Sequence, residues 1–252
     1  MQKKLAFSSL FLSLLLAPAL FAAIPPKVAT KVDIGLLAEE ILTMPEKNRY
    51  MVAEKKADEL FPALVTLSQS EKKAMPVRWK ALTLAAYLKK EKSLPELEKA
   101  LKSKEWFMRN AGLVAIYSFD KKRAQSVAKD LIKDKALVVR SAAIEVLGNQ
   151  PELAPETRDL FWEEMIASYN FRQKQGLWVR EQILEKLAAN PEKKEMPLFV
   201  KCLKENAKMH SSAVVAMEKL AQTKLGKVNS SLEQKRQLWI QWAKNNPTAS
   251  IN

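Results

Sequence analysis

Five glycines in 252 residues leave little room for tight hairpins or phosphate-cradling loops. The single cysteine, Cys202, excludes an internal disulfide. Its setting, Phe199-Val200-Lys201-Cys202-Leu203, predicts a small buried hydrophobe rather than a reactive thiol. The single histidine, His210, leaves no metal site of the usual multi-ligand soft type. A Ser-His-Asp arrangement would have to use His210, and nothing near it in sequence suggests a nucleophile. Glu39-Glu40 and Glu163-Glu164 are neighbours along helical stretches, where adjacent side chains diverge, so they are not paired catalytic carboxylates. These scarcities predict a chain with no catalytic residues, no bound metal and no cofactor.

Long apolar runs are scarce as well. The one example spans residues 5–21, behind Lys3 and Lys4, and is broken by Ser8, Ser9, Ser13 and Pro18. A basic start, an apolar stretch and the small-x-small site Ala17-Pro18-Ala19, with Ala22 or Ala23 as alternatives, read as a secretory signal. Residues 1–22 are therefore expected to be cleaved between about residues 19 and 23, which implies a periplasmic or secreted protein. An uncleaved anchor is the competing reading. Every later apolar segment is interrupted by charge.

What the chain has in excess is base: its formal net charge is +14. Residues 23–70 hold seven acids and six bases, so the excess lies beyond them. Many lysines flank helical stretches, as in Lys89-Lys90, Lys121-Lys122 and Lys193-Lys194, and suit either a soluble face or an anionic partner.

One local pattern recurs five times. It is Val77-Arg78-Trp79-Lys80-Ala81-Leu82, then Met108-Arg109-Asn110-Ala111-Gly112-Leu113, then Val139-Arg140-Ser141-Ala142-Ala143-Ile144. Val179-Arg180-Glu181-Gln182-Ile183-Leu184 and Met209-His210-Ser211-Ser212-Ala213-Val214 complete the set. The bases Arg78, Arg109, Arg140, Arg180 and His210 are spaced by 31, 31, 40 and 30 residues. Self-similarity at such a period is the mark of stacked helical units, each unable to bury its apolar face alone.

Three-four apolar spacing predicts helices over residues 33–44 and 46–67, the latter kinked or divided at Pro62. It then predicts pairs over 94–101 with 106–119, 123–132 with 137–147, 156–168 with 177–189 and 196–203 with 209–220, closed by 232–244. Pro76 opens the first arginine helix. Ser230 and Glu233 form an expected capping box for the last helix. No convincing strand is present.

The Val-Arg-x-x-Ala-hydrophobic opening of each second helix resembles HEAT-like repeats, relatives of the armadillo repeats. Asp134 followed by Val139 through Gly148 carries the likeness best, which spans about residues 70–222. It implies an all-α, right-handed α-solenoid of about five HEAT-like helix pairs with capping helices. The divisions expected are a signal at 1–22, N-terminal caps at 23–70, the array at 71–222 and a C-terminal cap and tail at 223–252. In such repeats the arginine ties neighbouring units through an acid in the preceding turn. Only Asp134 stands six residues before its base; Lys72, Ser103, Lys174 and Lys204 occupy that place elsewhere, so no continuous acid–base ladder is expected. A structural role is expected for all five bases.

Positions one, five and eight after each base point away from the predicted core. They read Trp79, Thr83, Ala86; Asn110, Val114, Tyr117; Ser141, Glu145, Gly148; Glu181, Glu185, Ala188; Ser211, Val215, Glu218. The resemblance implies that second helices line a concave surface. The candidate partner-binding stripe is therefore Trp79, Asn110, Val114, Tyr117, Glu145, Glu181 and Glu185, aromatic at one end and acidic at the other. The 40-residue spacing marks an insertion whose candidate residues are Tyr169, Phe171, Arg172 and Trp178. An aromatic mini-core and a protein contact both suit it.

These readings imply an exported, monomeric, non-catalytic scaffold that binds a protein or peptide in the cell envelope, for assembly, inhibition or protection. The alternative is a basic adhesion module for an anionic polymer or lipid surface. Nucleic acid is disfavoured, because a concave grip on DNA needs bases where this stripe carries glutamates.

Overall fold

The computed structural model describes residues 33–246. The expected signal at 1–22 lies outside the described residues. The first helix starts where its cap dictates. The Asp33 carboxylate accepts hydrogen bonds from the amides of Gly35 (2.9 Å) and Leu36 (3.2 Å), two donors that a helix start leaves open. Helix α1 (Ile34–Thr43) follows and stops before Pro45. Where one helix was expected over 46–67, the chain forms α2 (Glu46–Glu54) and α3 (Ala57–Gln69). The division falls at Lys55–Lys56, not at Pro62. Lys56 leaves helical geometry (φ −134°, ψ 32°), and Asp58 and Glu59 then occupy the first turn of α3, where acids complement the helix dipole. Pro62 removes one ladder hydrogen bond inside α3 without ending it.

Five helix pairs share one plan. They are α3 with α4 (Met75–Lys89), α5 (Leu94–Leu101) with α6 (Trp106–Phe119), and α7 (Lys121–Leu131) with α8 (Leu137–Gly148). Helix α9 (Pro155–Ile166) pairs with α10 (Trp178–Ala189), and α11 (Met196–Cys202) with α12 (Ala207–Ala221). Helix α13 (Leu232–Asn245) packs on α11 and α12. The second helices α4, α6, α8, α10 and α12 each stack on the next. The protein is an all-α solenoid of HEAT-like pairs.

The stacking explains why the two helix types differ in sequence. Helix α5 buries only Leu97 and Ala100, and α7 only Ala124 and Ala128. Helix α6 buries Phe107, Met108, Arg109, Ala111, Gly112, Leu113, Ala115 and Ile116, because it meets its own first helix and two neighbouring second helices. Small residues allow the close approach. A Cβ at Gly112 would stand 3.1 Å from the Leu101 side chain and 3.2 Å from the Leu97 carbonyl. Helix α4 joins two parts of the core: Leu82 and Ala86 face the array, while Ala81, Leu84 and Ala85 pack with α1–α3. Cys202 is buried as expected, and burial pushes its thiol pKa up to about 12.

Two local features differ from expectation. The final capping box uses Ser231 and Gln234 rather than Ser230 and Glu233. The Ser230 hydroxyl instead accepts from the Lys227 amide, and Glu233 pairs with Arg236. The insertion also forms a short antiparallel ribbon, β1 (Phe171–Arg172) with β2 (Gln175–Gly176), the only strands among the described residues. Gln173 (φ 50°) and Lys174 (φ 66°) make its two-residue turn, in the left-handed geometry such turns need. No helix among the described residues is long and apolar enough to cross a membrane.

Candidate functional site

The five bases are buried in register, each near the start of a second helix. Each meets a backbone carbonyl, in the loop entering its own helix for Arg109, Arg140 and His210 and in the last turn of the preceding helix for Arg78 and Arg180. Arg109 donates to the carbonyls of Ser103 and Lys104, Arg140 to those of Asp134 and Lys135, and Arg78 to that of Ser68. Arg180 donates to the Met165 carbonyl at 2.6 Å, and His210 meets the Glu205 carbonyl at 3.0 Å. The histidine thus does the arginine's structural work in the last unit.

A second set of contacts links neighbouring units through acids, and as expected the acid–base ladder is not continuous. Arg78 grips both oxygens of Glu105 (2.7 and 2.6 Å), Arg109 both of Asp134 (2.6 and 2.7 Å), and Arg180 one of Glu205 (2.7 Å). Each arginine uses the acid of the following unit, standing four, six or five residues before the next base. One rung is different. Arg140 meets the Tyr169 carbonyl at 3.4 Å and lies over the Tyr169 ring at 5.5 Å.

The pair Arg109–Asp134 is the most enclosed of these rungs. Burial raises the Asp134 pKa, but the hydrogen bonds from Arg109 and the Ala136 amide outweigh it and hold the carboxyl below its ordinary value. A depressed carboxyl contributes stability above its unfolded pKa of about 3.9, and that stability is lost as pH falls through the folded value. Asp134→Asn should therefore lower the melting temperature at neutral pH by about 5 °C or more. The gap from wild type should shrink as pH drops from about 5 to about 3. Melting curves across that range check this; a gap independent of pH would contradict it.

The stripe positions face outward along the stacked second helices, with two exceptions. Ala86 and Ala188 are buried. The eighth position lies about 80° around the helix from the base, only about 40° beyond the core position four residues after it. A small residue there falls into the inter-helix seam. The remaining stripe is laced together. Trp79 donates its indole N–H to Asn110 Oδ1 at 3.1 Å, joining α4 to α6. Tyr117 accepts from Asn149, and Val114 is exposed between them. Trp79 and Tyr117 are half-buried against the core.

The acidic end is largely neutralised within the protein. Glu145 accepts from Lys186 at 2.7 Å and from Gln182 at 2.6 Å. Burial raises its pKa, and those two hydrogen bonds lower it further than burial lifts it. Glu181 lies 3.4 Å from Lys208. Glu185 is exposed, with no ionic partner among the described residues. The lysines and glutamine involved stand two and six positions after a base, or two before it, so counting outward positions alone misses them.

The insertion is folded back onto the array. Tyr169 donates to both oxygens of the buried Glu164 (2.5 and 2.6 Å), and buried Asn170 donates to the Glu164 carbonyl at 2.9 Å. Burial and then the Glu164 carboxylate push the Tyr169 hydroxyl pKa up. Phe171 lies under Arg180, with 4.2 Å between ring centroid and guanidinium carbon. A Cβ at Gly176 would come within 2.5 Å of Arg180 Nη1, so glycine is needed where the ribbon crosses this residue. Arg172 and Trp178 remain exposed.

Sequence reasoning missed a buried charge cluster behind the stripe. Arg158 Nε donates to Glu195 at 2.8 Å, its Nη2 makes a second bond to the same carboxylate, and Trp162 Nε1 donates to it at 2.8 Å. Arg158 and Glu195 are each 2% exposed. The Arg in the second turn of α9 and the Glu before α11 are 37 residues apart, and no local pattern couples them. Among the described residues, no group of three or more His, Cys, Asp or Glu side chains is placed to hold a metal.

A family profile described as HEAT repeats matches residues 61–148, from within α3 to the end of α8. No curated protein matches the chain.

Proposed function

Because the chain is built of HEAT-like helical repeats, we propose that it is an exported, non-catalytic scaffold binding another protein or peptide in the cell envelope. Repeats of this kind serve as helical scaffolds that commonly bind protein partners. Export is supported by Lys3-Lys4, the apolar run at 5–21 and the small residues that follow it. The observation that carries the binding site is the tie between Trp79 and Asn110. It holds an aromatic side chain on the outward face, next to exposed Val114 and half-buried Tyr117. A pre-ordered aromatic anchor costs little entropy on binding, and interfaces draw most of their affinity from a few such anchors.

Charge has a smaller part than the sequence suggested, because Glu145 and Glu181 already have partners. Among the three glutamates, Glu185 is the one left to steer association. Affinity capture from the native envelope, run side by side with wild type and Trp79→Ala, tests the proposal. Trp79→Ala should weaken the captured partner about thirtyfold, while Glu185→Gln should slow association by less than about threefold. Equal binding by wild type and a correctly folded Trp79→Ala protein would refute it.

A further inference from the structure

The ladder places five loops side by side. Arg78 of α4 grips Glu105 just before α6, and Arg109 of α6 grips Asp134 just before α8. Arg140 of α8 meets Tyr169 before α10, and Arg180 of α10 grips Glu205 before α12. The loops entering the second helices therefore form one edge of the array. The acids Glu105, Asp134 and Glu205 are engaged by the arginines. Of the lysines in the same loops, Lys73 pairs with Glu39 at 2.6 Å. Lys72, Lys104, Lys135, Lys174 and Lys204, one taken from each loop, are all exposed, and none forms a salt bridge among the described residues.

Beside these lysines stands a second row. Met75, Trp106, Val138 and Trp178 stand at or next to the starts of α4, α6, α8 and α10, Tyr169 of the insertion lies against Arg140 near the start of α8, and each is 40–47% exposed. The opposite edge also carries lysines, among them Lys90, Lys122, Lys193 and Lys224, but no exposed tryptophan. Only the first edge combines unpaired positive charge with exposed indoles and aliphatic side chains.

We propose that this edge docks on an anionic lipid bilayer. Lysine ammonium groups would meet headgroup phosphates, and each such residue near a negative surface adds attraction. Trp106 and Trp178 have the amphipathic rings that settle at the boundary between headgroups and acyl chains. A soluble anionic polymer would use the lysines but has no counterpart for the apolar row. The inference stands independently of partner binding at the stripe. Val114 lies about 12 Å along α6 from Trp106, so a docked edge leaves the stripe open to a partner at the membrane surface.

The described residues 33–246 belong to one compact unit with its own core, so a chain starting at Asp33 can be tested free of the apolar N-terminal run. It should sediment with vesicles containing about 30% phosphatidylglycerol, shift its tryptophan emission to the blue, and ignore pure phosphatidylcholine. Changing the five edge lysines to glutamine should reduce partition at least about a hundredfold, whereas Lys90, Lys122, Lys193 and Lys224→Gln should change it less than about threefold. Trp106→Ser with Trp178→Ser should cost about tenfold. Equal losses for the two lysine sets would overturn the proposal. So would no vesicle binding, or equally tight binding to soluble polyphosphate that the tryptophan changes leave unaltered.

Discussion

Replacing Ala143 by aspartate should lower the melting temperature by about 10 °C or more. Ala143 sits in α8 with no solvent exposure, inside the main core cluster. It is three residues after Arg140, on the side that points inward between stacked helices. A carboxylate there must either stay ionised in an apolar seam or bind a proton at neutral pH, and both cost several kcal/mol. The added atoms also force the seam apart, because the alanine is there to let helices approach closely. Ser141→Asp, two residues earlier and facing outward, is the control and should change the melting temperature by less than about 3 °C. Similar melting for both variants would show that the face assignment is wrong.

Removing the carboxylate of Glu195 should cost about 3–5 kcal/mol, because it strands a buried guanidinium. Arg158 is almost fully buried and directs two hydrogen bonds at this one group. The Trp162 indole and the Glu192 amide also donate to it, each at 2.8 Å. Glu195→Ala leaves Arg158 with the weaker Glu192 contact at 3.4 Å and the Leu187 carbonyl. The pair need not be worth much in itself: buried ion pairs replaced by apolar residues of similar size often lose nothing. Arg158→Met with Glu195→Leu should therefore recover most of the stability lost in Glu195→Ala. Thermal unfolding of the three proteins measures this. A double variant as unstable as the single one would show that the cluster contributes through its hydrogen bonds rather than through a stranded charge.

The architecture was legible because its signals are local. Each second helix announces itself by a base flanked by apolar residues, and helix limits such as Trp106–Phe119 follow from spacing and breakers alone. Where local signals compete, the sequence is harder to read. Ser230 and Ser231 are both able to cap, and the preceding turn claims the first. Pro62 is a helix breaker by propensity, yet the break fell at Lys55–Lys56, where Asp58 and Glu59 favour a new start. The ladder stayed hidden for a different reason. Its acids serve the arginine of the unit before, about 25 residues upstream, and stand four, six or five residues before the next base, so a scan at one fixed offset finds Asp134 alone. The stripe was legible in direction and only partly in character. Trp79 and Val114 face outward as periodicity requires, but Glu145 is answered by Lys186 of the next unit, a contact that depends on how helices stack.

The central claim is that the outward stripe of the second helices is where a partner binds. Photo-crosslinking in the native cell tests it most directly, with a photoreactive residue placed at Val114, at Glu185, or at Ser126 on the exposed side of α7. The account predicts that Val114 and Glu185 yield the same crosslinked envelope protein, that the yield falls when Trp79→Ala is added, and that Ser126 yields none. Crosslinks from Ser126 alone, or a stripe that gives no product while the protein is folded and present in the envelope, would contradict it.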